Sequence, residues 1–187
     1  MSSKSQQFAA EYRISHDKYA AERDLHRIPL VIERNEYYLS PGEHNEVQAA
    51  VVEEFAPVFA PGGRLLYIGD TEDKNLYIDN CRLETLRLPV TEHSKLPDII
   101  ISDDKREWLF LVEVVTSRGP MSAKRVIELE ELTKDCPYGI VYVTAFPNAK
   151  EFKKYIDEIA WETEVWLADT PAHMIHFNGD RFIGPRK

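Results

Sequence analysis

Two runs constrain this chain more than any other feature: "WLFLVEVV" at 108–115 and "GIVYVTAF" at 139–146. Both are apolar at odd and even positions and rich in β-branched and aromatic residues. A strand with one wet face would alternate polar and apolar side chains instead. Runs of this kind belong in the middle of a sheet whose two faces are covered by helices. Between them lies "SAKRVIELEELTKD" at 122–135, which reads as a helix after the glycine-proline break at 119–120. The fold class that follows is α/β with a central mixed β-sheet flanked by helices.

The rest of the chain fits around that centre. Residues 1–28 read as a polar helical arm, and "IPLVIE" and "EYYL" as a small strand pair. Ser40, Pro41 and Glu43 match a capping box with Ser40 as N-cap, opening a helix through "EHNEVQAAVVEEFAPVF". Pro61-Gly62-Gly63 ends it. "RLLYIGD" reads as a strand, and "KLPDIIIS" and "EWLFLVEVVTS" as a hairpin about "DDKR". After the second apolar run, Asn148 and Glu151 open another helix. "EVWLAD" is the next strand, and "MIHFNGDRFI" a hairpin with Asn178-Gly179 at a type I′ turn.

At 187 residues the chain suits one domain with a proper core. No stretch approaches the length of a membrane span, and the start of the chain lacks the apolar segment of a signal peptide. Cys81 and Cys136 stand alone, in no zinc-ligand spacing, which suits plain thiols in a reducing cytoplasm. The net charge of −9 argues against a protein that binds nucleic acid through a uniformly basic face. Local basic clusters remain at 104–106, 117–125, 153–154 and the terminal "GPRK".

An ionised glutamate inside "WLFLVEVV" demands an explanation, because burying a charge without a partner is costly. Asp98 opens the preceding strand. A hairpin about "DDKR" would carry Asp98 toward Glu113. Two converging carboxylates repel, and a divalent cation between them resolves the conflict. Oxygen ligands of this kind suit magnesium or manganese, not zinc. Each acid also has a plain reading: Asp98 as a strand-start residue, Glu113 as a paired core glutamate. His173 and His176 point to opposite faces of one strand and make a poor metal pair.

Pro97-Asp98 followed by Glu113-Val114-Val115 resembles the PD-(D/E)xK nuclease signature. The runs at 40–48, 65–71, 95–130, 138–155 and 159–186 resemble the catalytic region of the BsuBI/PstI family of type II restriction endonucleases. The resemblance implies a PD-(D/E)xK nuclease-like core over residues 29–187, behind the helical arm 1–28. It implies magnesium-dependent hydrolysis of double-stranded DNA at a short palindromic site by a homodimer. Asp98 and Glu113 would bind the metal, with Asp70 as a further ligand; Glu53 and Glu54 are weaker candidates. Val115 stands where the signature has lysine, so positive charge must come from elsewhere, with Lys124 the first candidate and Lys95 the second. His44, Arg118, Lys124 and Arg125 are the expected DNA contacts. Two other tasks fit the same fold: repair or structure-selective cleavage, and DNA binding without cutting.

Overall fold

The computed structural model describes residues 25–90, 95–116, 119–177 and 179. The expected arm up to residue 24, Arg118 and the Asn178 turn lie outside these. A short antiparallel hairpin, β1 (Ile28–Ile32) and β2 (Asn35–Leu39), comes first, closed by Glu33 and Arg34, both at positive φ. Next, helix α1 (Glu43–Ala50) widens into a π-helical segment (Val51–Phe55) and continues as α2 (Ala56–Phe59). The widening falls just before Pro57, whose ring a tight turn would press against the carbonyl of Glu53.

The expected cap at Ser40 is not the one used. The N-cap of α1 is Gly42, at φ 147°, a backbone conformation that favours glycine. The Ser40 hydroxyl instead donates to Asp70, thirty residues on in sequence. A tertiary hydrogen bond has outcompeted a local one.

Among the described residues seven strands form one sheet, β4-β3-β5-β6-β7-β8-β9. They are β3 (Arg64–Ile68), β4 (Tyr77–Ile78), β5 (Ile99–Asp103), β6 (Trp108–Val114), β7 (Gly139–Phe146), β8 (Thr163–Leu167) and β9 (Met174–Phe177). The β6–β7 and β7–β8 pairs are parallel and the others antiparallel, so the sheet is mixed. All eight residues of β7 are buried, as a central strand covered on both faces requires. Sequence reasoning missed β4 and a short helix, α3 (Asn80–Thr85), whose N-cap Asp79 accepts the Arg82 N–H at 3.1 Å.

One face of the sheet packs against α1 and the β1–β2 hairpin. There Phe55 meets Phe110 and Trp166 edge-on, with ring centroids 5.8 and 5.7 Å apart. The other face takes Leu83 of α3, Leu86 just after it, and Val126 and Leu129 of α4 (Ala123–Thr133). A third cluster joins Val115, Phe146 and Val165 to Phe152 of α5 (Ala149–Tyr155). The β5–β6 turn is tied by its own side chains. Asp103 accepts the N–H groups of Lys105 and Arg106, each at 3.1 Å, and Arg106 Nε donates to it at 2.6 Å. Among the described residues no helix is long and apolar enough to cross a membrane.

Candidate active site

The β5–β6 register pairs Ile99 with Val112, so the next position sets Asp98 opposite Glu113. Asp98 Oδ2 accepts the Val114 N–H at 2.8 Å, which pins the aspartate against the strand that carries the glutamate. The hairpin therefore brings the two acids together. His44, in the first turn of α1, places Nε2 3.7 Å from Asp98 Oδ1.

Glu113 projects to the face covered by α4 and is only 15% exposed. Burial first, and then the nearby negative charge of Asp98, pushes its carboxyl up to about 7, against the pull of Arg125 and His44. The cation that meets it is Arg125. Nε lies 2.8 Å and Nη2 2.6 Å from Glu113 Oε1. Arg125 reaches inward because Ser122 caps α4 and sets the helix phase. Lys124, two residues before the buried Val126, lies on roughly the opposite side of the helix and is exposed. It lines a cleft of about 240 Å³ with Glu113, Arg125, Glu128 and Glu158. The buried face of α4, Val126 and Leu129, was the signal that would have ranked Arg125 above Lys124 as the partner of Glu113.

The other expected residues fall as follows. Asp70 is buried at the end of the neighbouring strand, and its oxygens accept the Ser40 N–H, the Ser40 hydroxyl and Asn45 Nδ2 at 3.0, 2.8 and 2.5 Å. They also take the Glu72 and Asp73 N–H groups at 3.0 and 3.3 Å. Lys95 is 69% exposed and pairs with Glu128 at 2.8 Å, not with the acids. Glu53 and Glu54 are exposed on the π-helical segment. His176 pairs with Glu164, away from the site. Val115 is fully buried, packed with Phe146 and Val165.

Two carboxylates with free oxygens can hold a magnesium ion, which keeps several waters and needs few protein ligands. No larger group of metal-ligating side chains occurs among the described residues. The donor set fits on the carboxylate chemistry alone: Asp98 and Glu113 each have one oxygen held by a protein donor and one that accepts no such bond among the described residues.

A mixed sheet carrying paired acids at adjoining strand ends defines a nuclease-like core. The chain belongs to the BsuBI/PstI restriction endonuclease domain family, whose model matches residues 28–180. It is 50% identical over 170 residues to the type II restriction enzyme BsuBI of Bacillus subtilis, covering 90% of this chain and 54% of that protein. The type II restriction enzyme AplI of Arthrospira platensis is 28% identical over 184 residues, covering 94% and 56%. The structure of SdaI restriction endonuclease superposes with a TM-score of 0.79 at 42% identity, over 89% of this chain and 52% of that one. The chain thus spans about half the length of the relatives it matches.

Proposed function

We propose that this chain carries the cleaving site of a magnesium-dependent type II restriction endonuclease, which hydrolyses double-stranded DNA at a short palindromic site as a homodimer. The observation that carries the reading is the Asp98–Glu113 pair, set opposite each other by strand register in a chain of this family. Asp98 Oδ1 and Glu113 Oε2 would hold the ion. When bound, it supplies Lewis acidity, making water a nucleophile near neutral pH and offsetting charge on the phosphate. Lys124, on the rim of the cleft, meets the phosphate charge. His44, beside Asp98, and Arg118 contact the DNA backbone. Asp70 braces the loop beside the acids.

The test is cleavage of a long DNA of known sequence with magnesium, beside a Glu113→Ala control. Discrete fragments that vanish in the control are expected, and their ends give the recognition site. Scattered or structure-dependent cuts would replace this reading with the repair nuclease. Binding without cutting would replace it with the inactive module, for which the buried Val115 in the lysine position is the favouring observation.

A pH dependence follows from Glu113. Its carboxyl keeps a proton until about 7, so proton and cation compete for it. Manganese affinity is expected to fall as pH drops from about 8 to about 6, approaching tenfold per unit. Calorimetric titrations across that range check it, and a flat affinity would contradict it.

A further inference from the structure

We propose that Arg125 is the positioning residue that sets the two carboxylates for a divalent cation. The inference rests on the metal reading above and concerns how the chain builds that site. Nε and Nη2 of Arg125 converge on a single oxygen of Glu113, Oε1, at 2.8 and 2.6 Å. The same Nη2 donates to the carbonyl of Leu96 at 2.9 Å, two residues before Asp98. One side chain on α4 therefore ties the segment that carries Asp98 to the strand that carries Glu113. On its third side, Nη1 lies 3.3 Å from Glu128 Oε2, and Glu128 also takes Lys95 Nζ at 2.8 Å.

The consequence is a division of labour within each carboxylate. With Oε1 of Glu113 gripped, its rotamer is fixed and Oε2 is left for a ligand. Asp98 divides in the same way: Oδ2 accepts the Val114 N–H, while Oδ1 has, among the described residues, only His44 Nε2, at 3.7 Å. A planar guanidinium spreads five donors over three nitrogens in a rigid fork and so spans acceptors set well apart, whereas an ammonium offers its three donors from a single nitrogen on a flexible stem. No cation can serve from the strand itself, because Val115 is wholly enclosed by apolar side chains.

A plain counter-ion role for Arg125 gives the opposite expectation. A positive charge that only neutralises Glu113 repels an arriving cation, so its removal would tighten metal binding. A positioning role means that removal weakens binding, even where the charge is kept.

The experiment is a manganese titration at about pH 8, by calorimetry with electron paramagnetic resonance for free ion, on wild type, Glu113→Ala, Arg125→Lys and Arg125→Gln. Circular dichroism and melting confirm each fold. Both Arg125 variants are expected to bind manganese about 10–100-fold more weakly than wild type, as for the outer partners of metal ligands generally. Glu128→Ala frees the guanidinium on one side without touching either acid, and a smaller loss in the same direction is expected. It keeps the test decisive if the Arg125 variants do not fold. Equal or tighter binding by Arg125→Lys, or unchanged binding by Glu128→Ala where the Arg125 variants fail to fold, overturns the positioning role. If wild type binds and Glu113→Ala does not, that result leaves the metal reading intact. Absence of binding by wild type overturns both.

Discussion

Asp98→Asn is expected to reduce DNA cleavage by about a thousandfold or more while raising the melting temperature of the metal-free protein. The two effects share one cause. Asparagine keeps an oxygen to accept the Val114 N–H that Asp98 Oδ2 now takes, so the local backbone is undisturbed. It removes the charge that holds a cation, and losing several kcal/mol of transition-state stabilisation, about 4, corresponds to a factor near 10³. It also removes the repulsion that helps push Glu113 up to about 7 from its ordinary 4.5. The sign is fixed by that direction. A carboxyl that holds its proton more tightly when folded stabilises the fold fully below about 4.5 and loses that contribution as pH rises through about 7. The variant shrinks the loss. A gain of about 0.5–2 kcal/mol is expected at about pH 8 and should fade toward about pH 4. Melting curves at both values, with a cleavage assay, check it; retained cleavage or an unchanged melt at about pH 8 would sink the argument.

The second large effect concerns stability. Asp70→Ala is expected to cost about 3 kcal/mol in urea unfolding. Asp70 is 7% exposed and joins three segments: Ser40 before α1, Asn45 within α1, and the turn through Glu72 and Asp73. Without it the buried Ser40 N–H and the N–H groups of Glu72 and Asp73 lose the acceptor they share, while the Ser40 hydroxyl keeps Thr71 and the Asn45 amide keeps the Ser40 carbonyl. Each unmatched buried group costs about 1–3 kcal/mol. Asp70→Asn keeps one acceptor oxygen and should cost less. Manganese affinity measured on Asp70→Asn separates bracing from direct ligation, because only a ligand would weaken binding as Asp98→Asn does.

The central strands were legible because burial on both faces leaves apolar residues at odd and even positions, as in the eight residues of β7, and their short length with β-branched and aromatic side chains separates them from a buried helix. Facing acids could be read from the hairpin, since the register of a tight turn is local. The Ser40 cap was misread for the opposite reason: its hydroxyl answers Asp70, and a one-dimensional pattern cannot weigh a distant acceptor against a near one. Tyr77–Ile78 is too short to show a period. Lys124 and Arg125 are adjacent and alike in charge. Only the phase of α4, fixed by Val126 and Leu129 against the sheet, says which of them turns inward.

The turn at Asp103 to Arg106, laced by its own backbone and side-chain bonds, has a bearing on how robustly the two acids are held. Both acids ride on one hairpin whose register that turn fixes. The spacing of the two acids is thus a property of one local element. Loops elsewhere in the fold can change without altering the distance between the acids, because none of them sets that register.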